Sequence, residues 1–327
     1  MKRRFGLVSI LLSGLCLLFG ASSSWAADYP NRPIKWIVPY PPAGTTDVLA
    51  RIVAQALSER LGQQVIVENK PGGGNNIGTE FVVNASPDGY TMLLVNPANG
   101  INATLYKKLN FNFIRDITPV AGIVRTPNVM VITNNLPVKN VAEFIAYCKA
   151  NPTKVNMASS GSGTSVHLSG ELFKYMTGCQ MAHIPYKGGA PAITDTISGQ
   201  IPLSFSAFGV ALTHIKTGKV VALGVTGSAR SKLLPEIPTI EEAGNLKGYE
   251  MSIVYAVWVP AGVPQPIINR LSKAIEQVVG SNTFKEKVSS DGGETMNLSN
   301  LTESNAYFQK EMQRLSKIVK DGNIKSD

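Results

Sequence analysis

The chain is poor in the residues from which most catalytic and metal sites are made. Its 327 residues include only three histidines and three cysteines, and 16% are charged. His167, His183 and His214 have no metal-ligand spacing between them, nor do the cysteines, so no metal is expected. The phosphate-loop pattern Gly-x4-Gly-Lys-Ser/Thr is absent. Gly72 and Gly74 are followed by Ile77, where a dinucleotide fingerprint requires glycine. The nucleophile elbow fails as well, because Ser162 has Ser160 two residues before it and Ser165 has His167 two residues after it. No paired carboxylates support acid–base work, and no cofactor is expected.

Long apolar runs are also lacking, apart from one at the N-terminus. Lys2, Arg3 and Arg4 precede an apolar stretch over residues 5–19, and Ser24-Trp25-Ala26 supplies small residues at the −3 and −1 positions. This is the grammar of a secretory signal peptide over residues 1–26, cleaved after Ala26. The run falls short of the ~20 residues a membrane span requires. Cys16 follows Leu15, a poor residue to precede a lipid-modified cysteine. The expected location of the mature protein is therefore the periplasm. Taking the three basic residues of the leader from 31 leaves 28 against 22 acidic ones. That excess is scattered rather than gathered in a run, which argues against a nucleic-acid partner. Cys148 and Cys179 remain after processing, at the ends of two successive predicted helices. A disulfide and two free thiols both stand as readings.

The pattern along the chain is that of an α/β protein. Residues 34–40, 64–69 and 90–95 read as buried strands, and residues 47–61 as a helix with Leu49, Ile52, Val53, Ala56 and Leu57 on one face. This β-α-β order implies a parallel sheet with helices on its faces. The pattern restarts with strands at 128–133 and 154–158, a helix at 165–176, and strands at 181–184, 201–205 and 220–225. A further strand at 253–259 precedes helices ending near 279 and 320, which either extend the second sheet or return to the first.

Two strand-to-helix turns share a composition. One is Pro42-Ala43-Gly44-Thr45-Thr46-Asp47, and the other is Ser159-Ser160-Gly161-Ser162-Gly163-Thr164-Ser165. Glycines permit tight backbone turns and hydroxyls cap the helix. The free N–H groups of the first turn then face outward at the positive end of the helix dipole, which makes an anion site from main chain. Either turn alone reads equally as an ordinary capped helix. The pair is more informative, since ligands of open α/β sheets collect beyond the carboxyl ends of strands. Pro71-Gly72-Gly73-Gly74-Asn75-Asn76 and Asn96-Pro97-Ala98-Asn99 leave two further strand ends and read as punctuation or as lining of the same cleft. An exported serine hydrolase using Ser162 or Ser165 with His167 is the enzymatic alternative. Ser165 and His167 lie two apart on a helix, however, and would not face each other.

Over essentially its whole mature length the chain resembles the substrate-binding receptors of tripartite tricarboxylate transporters, the Bug receptor family. The residues that carry the resemblance are Tyr29-Pro30-x-Arg32-Pro33-Ile34, the segment from Pro39 to Asp47, Val67-Glu68-Asn69-Lys70-Pro71-Gly72-Gly73-Gly74, and Ser86-Pro87-Asp88-Gly89-Tyr90-Thr91. Further along come Gly161-Ser162-Gly163-Thr164-Ser165-x-His167-Leu168, Pro185-Tyr186-Lys187-Gly188 and Pro235-Glu236-Ile237-Pro238-Thr239.

The resemblance implies a two-lobed periplasmic-binding (Venus-flytrap) fold, each lobe a mixed, mostly parallel sheet flanked by helices. Lobe 1 is expected over 27–125 plus 228–327 and lobe 2 over 126–227, with crossing strands near 123–125 and 226–228. It also implies a small organic carboxylate as ligand and integral-membrane permease subunits as partner, with a sensor protein as the alternative partner; no catalysis is expected, and a monomer is expected because nothing in the sequence demands a self-complementary interface. Carried over by position, the ligand-binding residues are Tyr40, Ala43, Gly44, Thr45, Thr46, Asp47, Asn96, Ser160, Gly161, Gly163, Thr164, Ser165, His167 and Ser206. Many relatives have Phe-Asp where this chain has Phe205-Ser206. The missing carboxylate points away from an amino-acid ligand and toward a dicarboxylate or aromatic carboxylate, with Tyr40 and Phe208 as apolar contacts.

Overall fold

A computed structural model describes residues 28–321, except Gly44, Lys107, Thr153, Gly163, Asp291 and 297–300. The expected leader and its cleavage site lie outside the described residues. Among the described residues, no helix is long and apolar enough to cross a membrane.

The first sheet is built on β1 (Ile34–Val38), β2 (Val65–Asn69) and β3 (Thr91–Val95), with β1 in the centre and both neighbours parallel to it. β9 (Ser252–Pro260) pairs antiparallel with β3, and the first eleven residues of β4 (Ile117–Ile132) pair antiparallel with β9. β10 (Glu294–Thr295) closes the edge against Val124 and Arg125. β3 and β9, and β1 apart from Lys35, are buried on both faces, which explains their near-continuous apolar sequence. Ile34, Trp36 and Val38 enter one core with Met92 and Leu94, while Ile37, Leu93 and Val95 enter another on the opposite face. The first core is covered by α1 (Thr45–Leu61) and α10 (Gln265–Val279). Val53 and Leu57 of α1 share it with Leu271, Ile275 and Val278 of α10, at the i, i+3, i+4 spacing of a helix face. The opposite core receives Val82 of α2 (Asn76–Val83) and Phe113 of α4 (Phe113–Asp116). Between these helices, α3 (Pro97–Leu105) opens with Asn96 as its cap.

The second sheet begins where β4 leaves the first. Its residues Asn128 to Ile132 pair antiparallel with β7 (Leu203–Ala207), and four of them also with β8 (Val221–Val225). β5 (Asn156–Ser159) and β6 (Ala182–Pro185) extend the sheet in parallel beyond β7. Met130 and Ile132 face a core with Phe144 of α5 (Val141–Ala150) and Leu168, Leu172 and Phe173 of α6 (Ser165–Thr177). Val129 and Val131 face the other side, against Ile193 of α7 (Gly189–Ser198) and Phe208 and Ala211 of α8 (Phe208–Lys216). Phe208 is fully buried there and so lines no open surface, contrary to the apolar ligand contact expected of it. Cys148 and Cys179 are buried free thiols.

β4 is sixteen residues long, whereas only its last third is legible in the sequence. Pro119 and Pro127 and two register shifts lie within it. Such residues belong at edges and bulges, and here they mark the bends through which one strand serves two sheets. The stretch after residue 227, expected with the first lobe, packs on the second sheet instead. Leu234 enters one of its cores, while Ile240 of α9 (Ile240–Gly244), Tyr249 and Met251 enter the other. The chain rejoins the first sheet at Ser252, next after Met251. After α11 (Asn282–Ser290), α12 (Leu301–Asp321) belongs to both halves. Phe308 packs with the first sheet, and Leu315, Ile318 and Val319 pack with the second core.

Candidate ligand site at two strand-to-helix loops

The ladder registers aim the two matching loops toward one region. Ile37 of β1 is carried through Leu93 and Trp258 to the level of Pro119 on β4. Ala158 of β5 is carried through Ser204 to the level of Val131. β1 runs parallel to β4 and β5 runs antiparallel to it, so their carboxyl ends point at each other along the stretch of β4 between those levels. Tyr255, level with Val124, and Ser206, level with Val129, lie on neighbouring strands within that interval.

The first loop is held by Asp47. Its carboxylate accepts hydrogen bonds from Ala43 N–H at 2.9 Å, Asn69 Nδ2 at 2.8 Å and Arg51 Nε at 3.0 Å. Burial opposes the charge, but these donors outweigh it and keep the carboxyl below its usual range. Asp47 therefore acts as an anchor whose charge is already answered, and Ala43 N–H is spent on it. Ala43 sits at φ 65°, a left-handed conformation the loop imposes on a non-glycine residue. Tyr40 accepts at its carbonyl from Asn69 Nδ2 at 3.1 Å and at its hydroxyl from Asn75 Nδ2 at 2.5 Å. Burial, the nearby Tyr255 phenol and contacts with Asn96 and Asn75 set its acidity, with the net effect of pushing its pKa well up, so it stays neutral. Thr46 Oγ1 lies 3.4 Å from the Tyr255 hydroxyl. Asn96 caps α3, accepting from Ala98 N–H at 3.0 Å, while its own N–H donates to Asn99 Oδ1.

The structure thus brings Tyr40, Thr46 and Asn96 together with two residues the sequence reading missed, Asn75 and Tyr255. Asn75 sits in the glycine-rich turn read either as punctuation or as lining of the cleft, without being named as a contact itself. Tyr255 is the single hydroxyl in the run Ser252–Pro260 that is otherwise apolar past its first residue.

The second loop follows β5. Thr164 is the N-cap of α6 and accepts from His167 N–H at 3.4 Å, while its hydroxyl donates to Gly161 O at 2.6 Å. Gly161 has φ 129°, which an L side chain rarely adopts. Ser160 is half-buried and Ser165 buried. The first turn of α6 holds no acidic residue, so beyond the Thr164 cap no carboxylate of that turn answers the positive end of this thirteen-residue helix. His167 is buried, with its ring stacked on His183 at 3.8 Å and Nε2 3.6 Å from Glu171. His183 in turn lies 2.6 Å from Ser159 Oγ, which also accepts Gly161 N–H at 3.2 Å. His183 thus reaches the loop backbone through Ser159, and His167 stacks on His183. Ser206 is buried on β7, its hydroxyl directed to Ala207 O at 3.3 Å. Gly44 and Gly163 lie outside the described residues. Among the described residues, no group of three His, Cys, Asp or Glu side chains is arranged to hold a metal.

Residues 49–324 match the family described as tripartite tricarboxylate transporter family receptor, TctC. The chain belongs to this receptor family. Protein BugT of Bordetella pertussis, a relative, is 33% identical over 309 residues, covering 94% of each chain. Among solved structures, R. palustris Rpa4515 with adipate is similar at 33% identity and TM-score 0.81, covering 91% of this chain and 99% of that one. MatC from Rhodopseudomonas palustris with bound malate is similar at 26% identity and TM-score 0.78, covering 89% and 100%. As a TctC family member the chain has the two-lobed periplasmic-binding fold, one sheet to each lobe, with β4 running through both.

Proposed function

We propose that this protein is a periplasmic receptor that closes its lobes on a small organic carboxylate and delivers it to integral-membrane permease subunits, acting as a monomer and without catalysis. The observation that carries the reading is the convergence of two helix N-termini, those of α1 and α6, on the stretch of β4 shared by the sheets. A carboxylate seated between Ser160 and Ser165 would meet the positive end of α6, whose first turn holds no acidic residue. Tyr40, Asn75, Asn96, Thr46 and Tyr255 offer neutral hydroxyl and amide groups on the other side. A ligand with polar groups at both ends suits this arrangement, and relatives solved with adipate and malate support a dicarboxylate. Ligand would favour the closed form because only there do both loops touch it. For the lobes we take 27–125 with the segment from β9 onward as one and 126–251 as the other. The hydrolase alternative needs His167 turned toward Ser162 or Ser165, whereas its ring stacks on His183 beside Glu171.

The test is a thermal-shift screen of refolded protein from Ala27 onward, stripped of bound solute, against mono-, di- and tricarboxylates, amino acids and neutral sugars. A ligand at 100 times its Kd adds about 2.7 kcal/mol. A dicarboxylate is expected to raise the melting temperature by about 5 °C. A response to neutral sugars alone would refute the carboxylate reading.

A further inference from the structure

Cys148 and Cys179 are the two cysteines that remain once the expected leader is removed. Cys148 lies in the last turn of α5, and Cys179 follows Gly178, whose φ of 72° ends α6. Both are buried in the second core, at 0% and 3% exposure. The two thiols lie close enough for each to shift the other's acidity. Cys148 Sγ also lies 3.9 Å from the carbonyl oxygen of Gln180, the residue after Cys179. The main chain beside Cys179 is fixed by its N–H donating to Thr177 Oγ1 at 3.2 Å. In the folded chain the neighbouring thiol and burial push the Cys148 thiol up, while the same neighbour pulls Cys179 down against its burial.

We propose that Cys148 and Cys179 are a disulfide-forming pair that ties the end of α5 to the end of α6 in the mature receptor. This rests on the export reading, because disulfides persist beyond the cytoplasm and rarely within it. The oxidant is a small or protein disulfide of that compartment, represented by glutathione disulfide. While the chain folds and the thiols are still accessible, Cys179 thiolate attacks one glutathione sulfur. A mixed disulfide forms and one glutathione thiolate leaves. Cys148 loses its proton to that thiolate and attacks Cys179 Sγ, expelling the second glutathione, which takes up the proton first lost by Cys179. Two cysteine thiols and one glutathione disulfide thereby become one protein disulfide and two glutathione thiols.

The segment so closed contains β5, the loop over residues 159–164 and all of α6. The bridge would therefore restrain the unfolded chain around the element that carries the second anion loop. Its effect belongs to stability rather than to ligand choice.

The experiment refolds reduced protein from Ala27 onward in a buffer of reduced and oxidised glutathione, then alkylates it in denaturant and counts modified cysteines by mass. The expected result is no alkylated cysteine, a mass two hydrogens below that of the reduced chain, and a melting temperature on the order of 5 °C above that of the reduced protein. Cys148→Ala combined with Cys179→Ala should remove the response to reductant and keep the carboxylate-induced shift. Two alkylated cysteines per folded wild-type chain would overturn the proposal, and this count needs no variant to fold. Export is tested separately by the N-terminus of the protein recovered from the producing bacterium. A retained leader would sink that reading while the refolding assay still decides whether the thiols pair.

Discussion

At Asp47 three donors from three parts of the chain converge on one carboxylate, and the first loop takes its shape from them. Sequence position alone marked Asp47 as a ligand contact, because a short polar side chain at a helix start serves a ligand or its own loop equally well. The partners decide, and Asn69 is 22 residues away. Tyr40 and Asn96 were named through the family resemblance, Asn96 also from its turn after a strand end. Tyr255 was not, since a tyrosine in a buried strand pattern reads as core until its hydroxyl is seen beside Thr46. Asp47→Ala is expected to lower stability by about 1–3 kcal/mol at pH 7, read by urea unfolding. The native carboxyl is held below its unfolded value of about 3.9, so its contribution is complete above that pH and fades as pH falls through the native value. Asp47→Asn should therefore lose less stability than wild type between pH 5 and pH 3. Equal losses would show that Asp47 is not the loop's electrostatic anchor.

Among the elements, α1, α6 and the strands of both sheets were readable because each buries one helical face or sits between two layers. Of β4 only the end was, and α12 was readable as a helix but not in its packing. Prolines conceal the first two thirds of β4, and α12 divides its apolar side chains between two cores, which no local periodicity reveals. The cap of α6 is the element-scale feature closest to function. Thr164→Ala should cost about 1 kcal/mol. Gly161→Ala should weaken carboxylate binding through backbone strain at φ 129°, while leaving the melting temperature of the ligand-free protein within a few degrees. Unchanged affinity in the glycine variant would detach the loop's backbone from the ligand. For α12, Leu315→Ala is expected to cost about 2–5 kcal/mol, because Leu315 is 1% exposed in the second core. A cost under about 1 kcal/mol would show that the end of α12 is not integral to that core.

For the whole molecule, the alternation of strands and helices foretold two α/β halves, and the shared turn composition marked the two loops whose strands point at each other along β4. The return point of the chain could not be read, because Leu234, Ile240, Tyr249 and Met251 are apolar residues that suit either core and only tertiary packing assigns them. Under the proposed function, closing two lobes on one ligand requires both loops. The direct test is a calorimetric titration of stripped protein with the dicarboxylate giving the largest thermal shift, using wild type, Ala43→Trp in the first loop and Ser160→Trp in the second. Ala43 is exposed and Ser160 half-buried, so both variants should fold. If the ligand is gripped between the loops, wild type binds one equivalent and each variant binds on the order of 100-fold more weakly, about 2.7 kcal/mol. Wild-type affinity in either variant would contradict capture between the two loops.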